Sequence, residues 1–380
     1  MDWALLLEWF IKSLILIFTL LGGFAYTTWY ERRAIARIQV RVGPNRVGPL
    51  GLLQPIADAV KLIFKEELTP AKVYKVVFFL SPLLTMVPSL VIAAVIPWGT
   101  SFTLGGRTIN LYLADLNVGT LYLMSVASIA VYGIVLAGWS SNNKYAMLGG
   151  LRSSAQMISY ELTLGLSFVG IIILANSMSM VDIAEAQKPL WFIVVQPVGF
   201  IIFFIAILAE VNRAPFDMPE AEQELTAGYH TEYSGMKFAL FFMAEYQKMI
   251  VVSMIAATLF LGGYREFWFL RDTFLSVDRA WFLGPAYLFL KVVGMLFLMI
   301  WVRASWPRIR YDRLMSFGWK VLLPLSLAIV FITATGILLA DEFNNQIIYF
   351  VGIPFASLLA GAIAVAFVYR ALRRKAHEFA

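Results

Sequence analysis

Long apolar stretches separated by short polar connections fill almost the whole chain. Nine of these stretches approach or exceed the about 20 residues with which a helix crosses the hydrocarbon layer of a bilayer. They lie at residues 4–27, 76–97, 118–139, 156–175, 190–210, 237–262, 284–303, 319–339 and 346–370. The pattern predicts an all-α fold, a polytopic membrane bundle of about nine transmembrane helices.

The composition agrees with a membrane protein. The 380 residues are 60% hydrophobic and 15% aromatic, above the roughly half apolar share of soluble domains, and the mean hydropathy is +0.77. The first apolar stretch carries Glu8 and Lys12, and it lacks both a charged region ahead of it and a small-residue cleavage site. We therefore interpret this stretch as a retained helix rather than a signal peptide.

Lysine and arginine are distributed unequally between alternate connections. Of the 30 such residues, 22 fall within 28–75, 140–155, 211–237, 303–320 and 370–375. Six belong to the other face, namely Lys12 near the start of the first stretch and five residues in the other connections, while Lys248 and Lys291 lie deeper inside apolar stretches. Because basic residues concentrate in cytoplasmic loops, the N-terminus is predicted outside and the C-terminus in the cytoplasm. We refer to the membrane face with the 22 residues as the basic side and to the other face as the opposite side.

The connection at residues 28–75 has two parts. Residues 39–51 have glycine and proline where tight turns need them, and they lack the Gly-Lys-Ser/Thr ending of a phosphate-binding loop. Residues 52–64 have a helical period with one apolar and one polar face, which predicts a helix along the membrane surface. This helix is either a simple anchor or, since Asp58 lies on its polar face, the edge of an opening between the membrane and a cytoplasmic partner.

Residues 209–235 form an acidic stretch between two apolar ones. Proline and aromatic residues are interspersed among its acids, which are Glu210, Asp217, Glu220, Glu222, Glu224 and Glu232. A solvated loop would explain clustered like charges, whereas acids held near an apolar medium interact strongly and take up protons. We favour proton handling, with transfer from this cluster to Glu210 and on to Glu161 and Glu245 as the hypothesis.

Ionisable residues also lie within apolar stretches, where each costs about 2.5 to 3.5 kcal/mol at the bilayer centre if it is unpaired. Glu161 lies in the fourth stretch and Glu245 in the sixth, with Lys248 one turn further on as a candidate partner. For both acids a proton relay is favoured over a structural role. Glu31 and Arg32, at the end of the first stretch, are either an interfacial pair or part of a site.

The residue types also exclude several kinds of site. The chain has no cysteine, and its two histidines are His230 and His377, which excludes iron–sulfur ligation, thiolate zinc sites and bis-histidine haem in this chain alone. We expect no metal site and no redox centre here, so any electron chemistry must take place in a partner. His377 lies in a basic tail and is expected to be inert.

Four long motifs carry a resemblance to a known family. They lie at residues 30–66, 138–161, 212–235 and 303–324, and they include GPNRVGPLG and NRAPFDMPEAEQE. In this order and spacing they resemble the H subunit of respiratory complex I, the proton-translocating NADH:quinone oxidoreductase, which is the counterpart of mitochondrial NADH dehydrogenase subunit 1. Anchor subunits of membrane-bound hydrogenases match these motifs more loosely.

The resemblance implies roles for individual residues. In that family this subunit joins the peripheral arm to the membrane arm and forms a tunnel through which quinone reaches the last Fe–S cluster. The positions that match the tunnel lining are Glu31, Arg32, Asp58, Phe216, Asp217, Glu220, Glu222, Glu224, Arg303 and Arg308. The positions that match a charged path toward the antiporter-like subunits are Glu161, Glu210 and Glu245.

The family also implies a setting. We expect a multi-pass protein of the bacterial cell inner membrane that binds quinone as a substrate, contacts peripheral quinone-site subunits and antiporter-like membrane subunits, and binds no nucleic acid.

The chain departs from the family in two respects. Some members carry a carboxylate in the third span where this chain has Ser128, so that a proton path there needs water or a partner's acid. A ninth span exceeds the usual eight, which divides the chain into a family-like membrane domain at 1–340 and an added helix with a basic tail at 341–380.

Two other classes of protein remain as alternatives. A secondary transporter would show internal repeats with interrupted spans in corresponding halves, and the sequence shows no such symmetry. A membrane anchor and ion-coupling subunit of a hydrogenase-type complex would share the topology without a quinone path. A quinone that copurifies with the protein would favour the first interpretation over this one.

Overall fold

The computed structural model describes residues 3–104, 107–217, 227–271, 275–277, 279–345 and 347–378. Its helices are α1 (Trp3–Ile38), α2 (Gln54–Phe64), α3 (Lys75–Ile92), α4 (Gly119–Ser140), α5 (Lys144–Ala175), α6 (Met180–Ala186), α7 (Phe192–Val195), α8 (Pro197–Glu210), α9 (Gly235–Phe260), α10 (Leu283–Ser305), α11 (Tyr311–Phe317), α12 (Leu323–Glu342) and α13 (Ile353–Glu378). Strands β1 (Phe102–Leu104) and β2 (Arg107–Ile109) form an antiparallel hairpin. The predicted all-α fold is confirmed.

Eight helices in these ranges are long and apolar enough to cross a membrane, and they coincide with eight of the predicted stretches. Helices α11 and α12 form one continuous crossing, Tyr311–Glu342. The stretch predicted at 190–210 differs, because α7 ends before Gln196 and α8 begins at Pro197, a residue that suits a first helical turn. With 14 residues, α8 is about 21 Å long, which is shorter than the about 30 Å hydrocarbon layer.

Helix α1 is longer than the first apolar stretch, residues 4–27, predicts. It has 36 residues and is therefore about 54 Å long, so it continues on the basic side of the membrane and ends at Ile38 rather than near residue 27. Glu31 and Arg32 consequently lie inside the helix. Since neighbouring residues on a helix are about 100° apart, their side chains meet different neighbours.

Helix α2 confirms the amphipathic helix predicted at residues 52–64. None of its residues is buried within the protein, and Ile56, Val60 and Ile63 are all exposed. An exposed apolar face suits a helix that lies on a membrane surface and contacts lipid. Its contacts within the protein are with α1 and α9.

Helix α9 occupies the centre of the bundle. Residues 251–260 are all buried, as expected for a helix that is apolar on every face. It packs against α1, α3 and α10, while α5 packs against α4, α8 and α12. The last helix, α13, lies against α8 and α12, where Gly361 approaches Val198 so closely that an added Cβ would meet its Cγ2 at 3.2 Å. The helix added at the C-terminus thus covers the short α8.

Candidate functional site

A cavity of about 540 Å³ opens between α1, α2 and α9 on the basic side. Its wall is mainly apolar and includes Phe24, Leu62, Met236, Phe242 and Met243. The charged residues of the lining are Arg32, Asp58 and Lys61. Such a combination, an apolar wall with a few convergent polar groups, is typical of sites for small organic ligands.

One ion pair ties α2 to α1 at this cavity. Arg32 donates from Nη1 to Asp58 Oδ2 at 2.6 Å, and Gln54 donates from Nε2 to Oδ1 of the same carboxylate at 3.1 Å. Both partners of the pair are partly exposed. The structure therefore brings together two of the predicted tunnel residues, Arg32 and Asp58, at one edge of the cavity.

Glu31 belongs to a different, buried group. It is 2% exposed, and it accepts hydrogen bonds from Arg303 of α10 and from Arg213 Nη2, the latter at 3.4 Å. Arg213 Nε lies 2.8 Å from Glu245 Oε1. One guanidinium thus connects carboxylates from α1 and α9, and the interfacial pair considered for Glu31 and Arg32 is not formed.

An aromatic group lies between the cavity and this buried cluster. The Arg213 guanidinium sits over the ring of Tyr246 at 4.3 Å from its centroid. The Tyr246 ring in turn contacts Phe242 at 4.7 Å and Phe24 at 6.1 Å between centroids. Since Phe24 and Phe242 line the cavity, rings connect its wall to Arg213 directly.

Glu210 forms a second buried pair, with Lys248. The Lys248 ammonium lies 3.2 Å from Glu210 Oε1 and donates to the Glu210 carbonyl oxygen at 3.4 Å. Glu210 is the last residue of α8, where the helix dipole adds negative potential that attracts a cation. Lys248 was a candidate partner of Glu245, but it pairs with Glu210 at the end of α8, whereas Arg213 contacts Glu245.

Glu161 of α5 accepts a hydrogen bond from the hydroxyl of Ser128 on α4. The Met124 carbonyl oxygen, 3.0 Å from Ser128 Oγ, is the alternative acceptor for the same proton. At Ser128, the first of the two expected departures from the family, this chain therefore holds a hydroxyl directly against Glu161. A serine can both donate and accept, so it can extend a chain of hydrogen bonds that Glu161 begins.

Two small cavities of about 30 Å³ each border the Glu210 and Lys248 pair. One of them is also lined by Glu245, Asn212 and Tyr229. The other is lined by Met124 and Leu164, which lie one turn from Ser128 and Glu161 on their helices. Either cavity exceeds the roughly 10 to 15 Å³ that one water requires.

The acidic stretch is packed where the structure describes it. Asp217 pairs with Arg308 at 3.1 Å, Glu232 accepts from Asn143 Nδ2 at 2.7 Å, and Phe216 is buried in the main core. Ile309 N donates to the Pro215 carbonyl oxygen at 3.1 Å. The predicted tunnel residues Glu220, Glu222 and Glu224 lie outside the described residues.

His230 lies at the end of this stretch, against the rings of Tyr229 and Phe238 at 4.8 and 5.6 Å. Burial lowers the pKa of His230 from its ordinary value of 6.5 to about 4, although the carboxylate of Asp217 acts in the opposite direction. The imidazole is therefore neutral at neutral pH. It fills an aromatic pocket rather than supplying a charge.

The lowered pKa of His230 predicts a pH dependence. A histidine that is harder to protonate when folded contributes stability above pH 6.5, and this contribution is lost as the pH falls from 6.5 toward 4. We expect the Tm of the solubilised protein to fall over this range by less in His230→Asn than in the unsubstituted chain. Parallel curves for the two proteins would contradict the prediction.

Three participants in this region are not evident from the sequence. In the sequence, Arg213 is simply one of the basic residues of a connection, and nothing distinguishes Tyr246 or Gln156 from the other residues of the apolar stretches. Gln156 is fully buried, and its Nε2 donates to the carbonyl oxygens of Ala209 and Phe216, both at 2.8 Å. An arginine in the middle of an acidic stretch is the one available signal, since such a cation has carboxylates within reach.

The described residues contain no group of three or more histidine, aspartate and glutamate side chains that could hold a metal ion. Several charged side chains of the site are instead paired with each other: Arg32 with Asp58, Arg213 with Glu31 and Glu245, and Lys248 with Glu210. Their arrangement suits the binding of an apolar ligand with a polar end and the movement of protons between carboxylates.

A family model described as NADH dehydrogenase matches residues 11–334. The chain belongs to that family. The match includes every residue of the cavity, the ion pairs and the two small cavities described above, and it ends within α12. Helix α13 lies beyond it.

Curated relatives agree with this assignment. The H subunit of the NADH-quinone oxidoreductase of Thermomicrobium roseum is 50% identical over 337 residues, which is 86% of this chain and 95% of the relative. The protein of the same name from Protochlamydia amoebophila is 50% identical over 310 residues, 82% and 91% of the two chains. An H subunit of the NADH-quinone oxidoreductase of Syntrophobacter fumaroxidans is 48% identical over 332 residues, 86% and 95%.

Proposed function

We propose that this chain is the membrane subunit of a proton-translocating NADH:quinone oxidoreductase that joins the peripheral arm to the membrane arm. It forms the access path for quinone and couples quinone reduction to proton translocation through buried carboxylates. One observation carries the proposal: the apolar cavity between α1, α2 and α9 is connected through aromatic rings to a series of buried ion pairs. The names of the relatives support it.

The cavity suits a quinone for a physical reason. An isoprenoid tail is apolar and gains about 25 cal/mol per Å² of surface removed from water, which favours entry through walls such as Phe24, Leu62 and Met243. The cavity opens at the surface helix α2, where the membrane meets the aqueous phase. The ion pair of Arg32 and Asp58 marks the polar edge that a quinone headgroup passes.

The proton path follows from the buried pairs. A change of charge near Glu31 acts on Arg213, which also holds Glu245. The cavity bordered by Glu245 and Glu210 is large enough for a water that joins them, and the next cavity extends toward Ser128 and Glu161. Because interacting acids titrate as a group, a charge made by quinone chemistry at one end is felt at the other.

The setting follows from the charge distribution. With the basic side in the cytoplasm, the N-terminus faces outward, and α2 and the acidic stretch face the peripheral subunits of a bacterial inner-membrane complex. Those partners hold FMN and the Fe–S clusters, since this chain has no cysteine. The antiporter-like subunits receive the proton path beyond Glu161.

Asp58→Asn in the assembled complex tests the quinone path. The substitution removes the negative charge at the cavity edge and frees Arg32. We expect quinone reductase activity to fall while oxidation of NADH by a hydrophilic artificial acceptor stays normal, because that reaction does not use the cavity. The matched control is Asp341→Asn, an exposed acid near the end of α12. An equal loss of both activities in Asp58→Asn, with normal assembly, would overturn the placement.

A further inference from the structure

The two walls of the large cavity are held together by a small cluster beyond the end of α2. The cluster consists of Glu66, Glu67, Leu68 and Thr69 on one side and Ser234, Gly235 and Lys237 at the start of α9 on the other. We call it the latch. It lies where the acidic stretch ends and α9 begins, and Lys237 stands between Met236 and Phe238 of the cavity wall.

Lys237 is the centre of the latch. Its ammonium donates to Thr69 Oγ1 at 3.0 Å and lies 3.4 Å from Glu67 Oε2. It also sits over the ring of Phe79 at 4.2 Å from the centroid. The lysine is 6% exposed, and a buried ammonium is strongly constrained to keep its partners because its desolvation is costly.

Backbone contacts complete the latch. Leu68 N donates to Ser234 Oγ at 2.9 Å, and the same hydroxyl donates to the Glu66 carbonyl oxygen at 3.3 Å. Gly235 has a φ of +57°, and an added Cβ would lie 3.0 Å from Glu67 Cγ and 3.3 Å from the Lys65 carbonyl oxygen. The close approach therefore depends on glycine at this position.

Helix α2 needs such a restraint. None of its residues is buried within the protein, so its packing against α1 and α9 restrains it only weakly. The Arg32 and Asp58 pair holds it to α1. The latch holds its other end to α9.

We propose that Lys237 is a positioning residue for the quinone site: by fixing residues 66–69 on α9, it sets the width of the cavity between α2 and α9. This inference rests on the proposed function, because it takes the cavity to be the quinone path. Lys237 does not line the cavity itself. It acts on quinone only through the position of α2.

The test is the quinone kinetics of the assembled complex carrying Lys237→Met, which keeps the length and the contact with Phe79 but removes the charge. We expect KM for a quinone with an isoprenoid tail to rise about tenfold, the equivalent of one lost hydrogen bond to a charged group. The kcat and the rate with a hydrophilic acceptor are expected to remain unchanged. Lys237→Arg, which keeps a cation between Glu67 and Thr69, should restore KM.

Two further variants keep the outcome decisive. Glu67→Gln removes the charge of the half-exposed partner and does not change the buried Lys237. It should raise KM by a smaller factor than Lys237→Met does, and it can be measured even if Lys237→Met assembles poorly. Lys75→Met, an exposed lysine at the start of α3, is the control and should change nothing. An unchanged KM in both latch variants, or a parallel fall of kcat and acceptor activity, overturns the inference. If Asp58→Asn alone impairs quinone reduction, the inference fails and the quinone path stands; if neither residue affects quinone kinetics, the proposed function fails as well.

Discussion

Arg213→Met is expected to abolish quinone reduction and to weaken assembly of the membrane subunit. The substitution leaves the carboxylates of Glu31 and Glu245 buried without the cation that links them. Removing one partner of a buried ion pair costs about 3 to 5 kcal/mol, a large fraction of the roughly 5 to 15 kcal/mol that typically separates folded from unfolded protein. Quinone reductase activity of membranes and the amount of assembled complex on a native gel measure the two effects.

Companion variants separate charge from packing. Arg213→Met combined with Glu245→Gln also removes the negative charge that Arg213 balances, so assembly should recover while coupling does not. Arg213→Lys should be intermediate, because an ammonium is a point charge and does not present the two-pronged geometry of a guanidinium. Arg41→Met is the control, since Arg41 is exposed and bonds within its own loop to Gln39. Normal activity in Arg213→Met would show that the buried cluster has no part in function.

Glu210→Gln is expected to stop proton translocation and to slow quinone reduction at least tenfold. A tenfold slower rate corresponds to an activation free energy that is higher by about 1.4 kcal/mol. Glu210 and Lys248 border both small cavities, so this pair lies between Glu245 and Glu161 on the proposed path. An amide does not take up and release a proton near neutral pH. Proton uptake in vesicles and quinone reduction, measured on the same preparation, give the two rates.

The single substitution also leaves the Lys248 ammonium buried without its carboxylate. The double variant Glu210→Gln with Lys248→Met removes both charges, and replacing a buried pair by uncharged groups is often neutral for stability. We expect the double variant to assemble normally and still fail to translocate protons. Glu342→Gln, an exposed acid at the end of α12, is the control. Normal proton yield in the double variant would remove Glu210 from the path.

The membrane-crossing segments were predictable from the sequence because they depend on local properties. A helix in lipid satisfies its own backbone hydrogen bonds, so about 20 apolar residues suffice to specify a crossing, and eight of the nine stretches are crossings of sufficient length. The surface helix α2 was predicted for the same reason, since its two faces follow the helical period. The sequence also contains Gln196 and Pro197, between which the helix is interrupted, but a count of apolar residues does not detect such an interruption.

The pairing of charges was not predictable in this way. Lys248 lies one turn from Glu245 on α9, yet it pairs with Glu210 from α8. Glu31 and Arg32 are neighbours in the chain, yet one is buried with Arg213 and Arg303 and the other lies at the cavity with Asp58. Each partner comes from a helix that is distant in sequence, and the packing of those helices decides which charges meet.

The sequence by itself therefore determined which segments enter the membrane, which family the motifs resemble and which residue types are present for proton transfer. The tertiary structure alone decided that Arg213 joins Glu31 to Glu245, that Ser128 bonds Glu161, and that Lys237 holds the end of α2. The physical reason is how far apart along the chain the interacting residues lie. Hydrophobic burial and helix formation follow from neighbouring residues along the chain, whereas a buried ion pair is stable only when packing brings both charges together and excludes water from them.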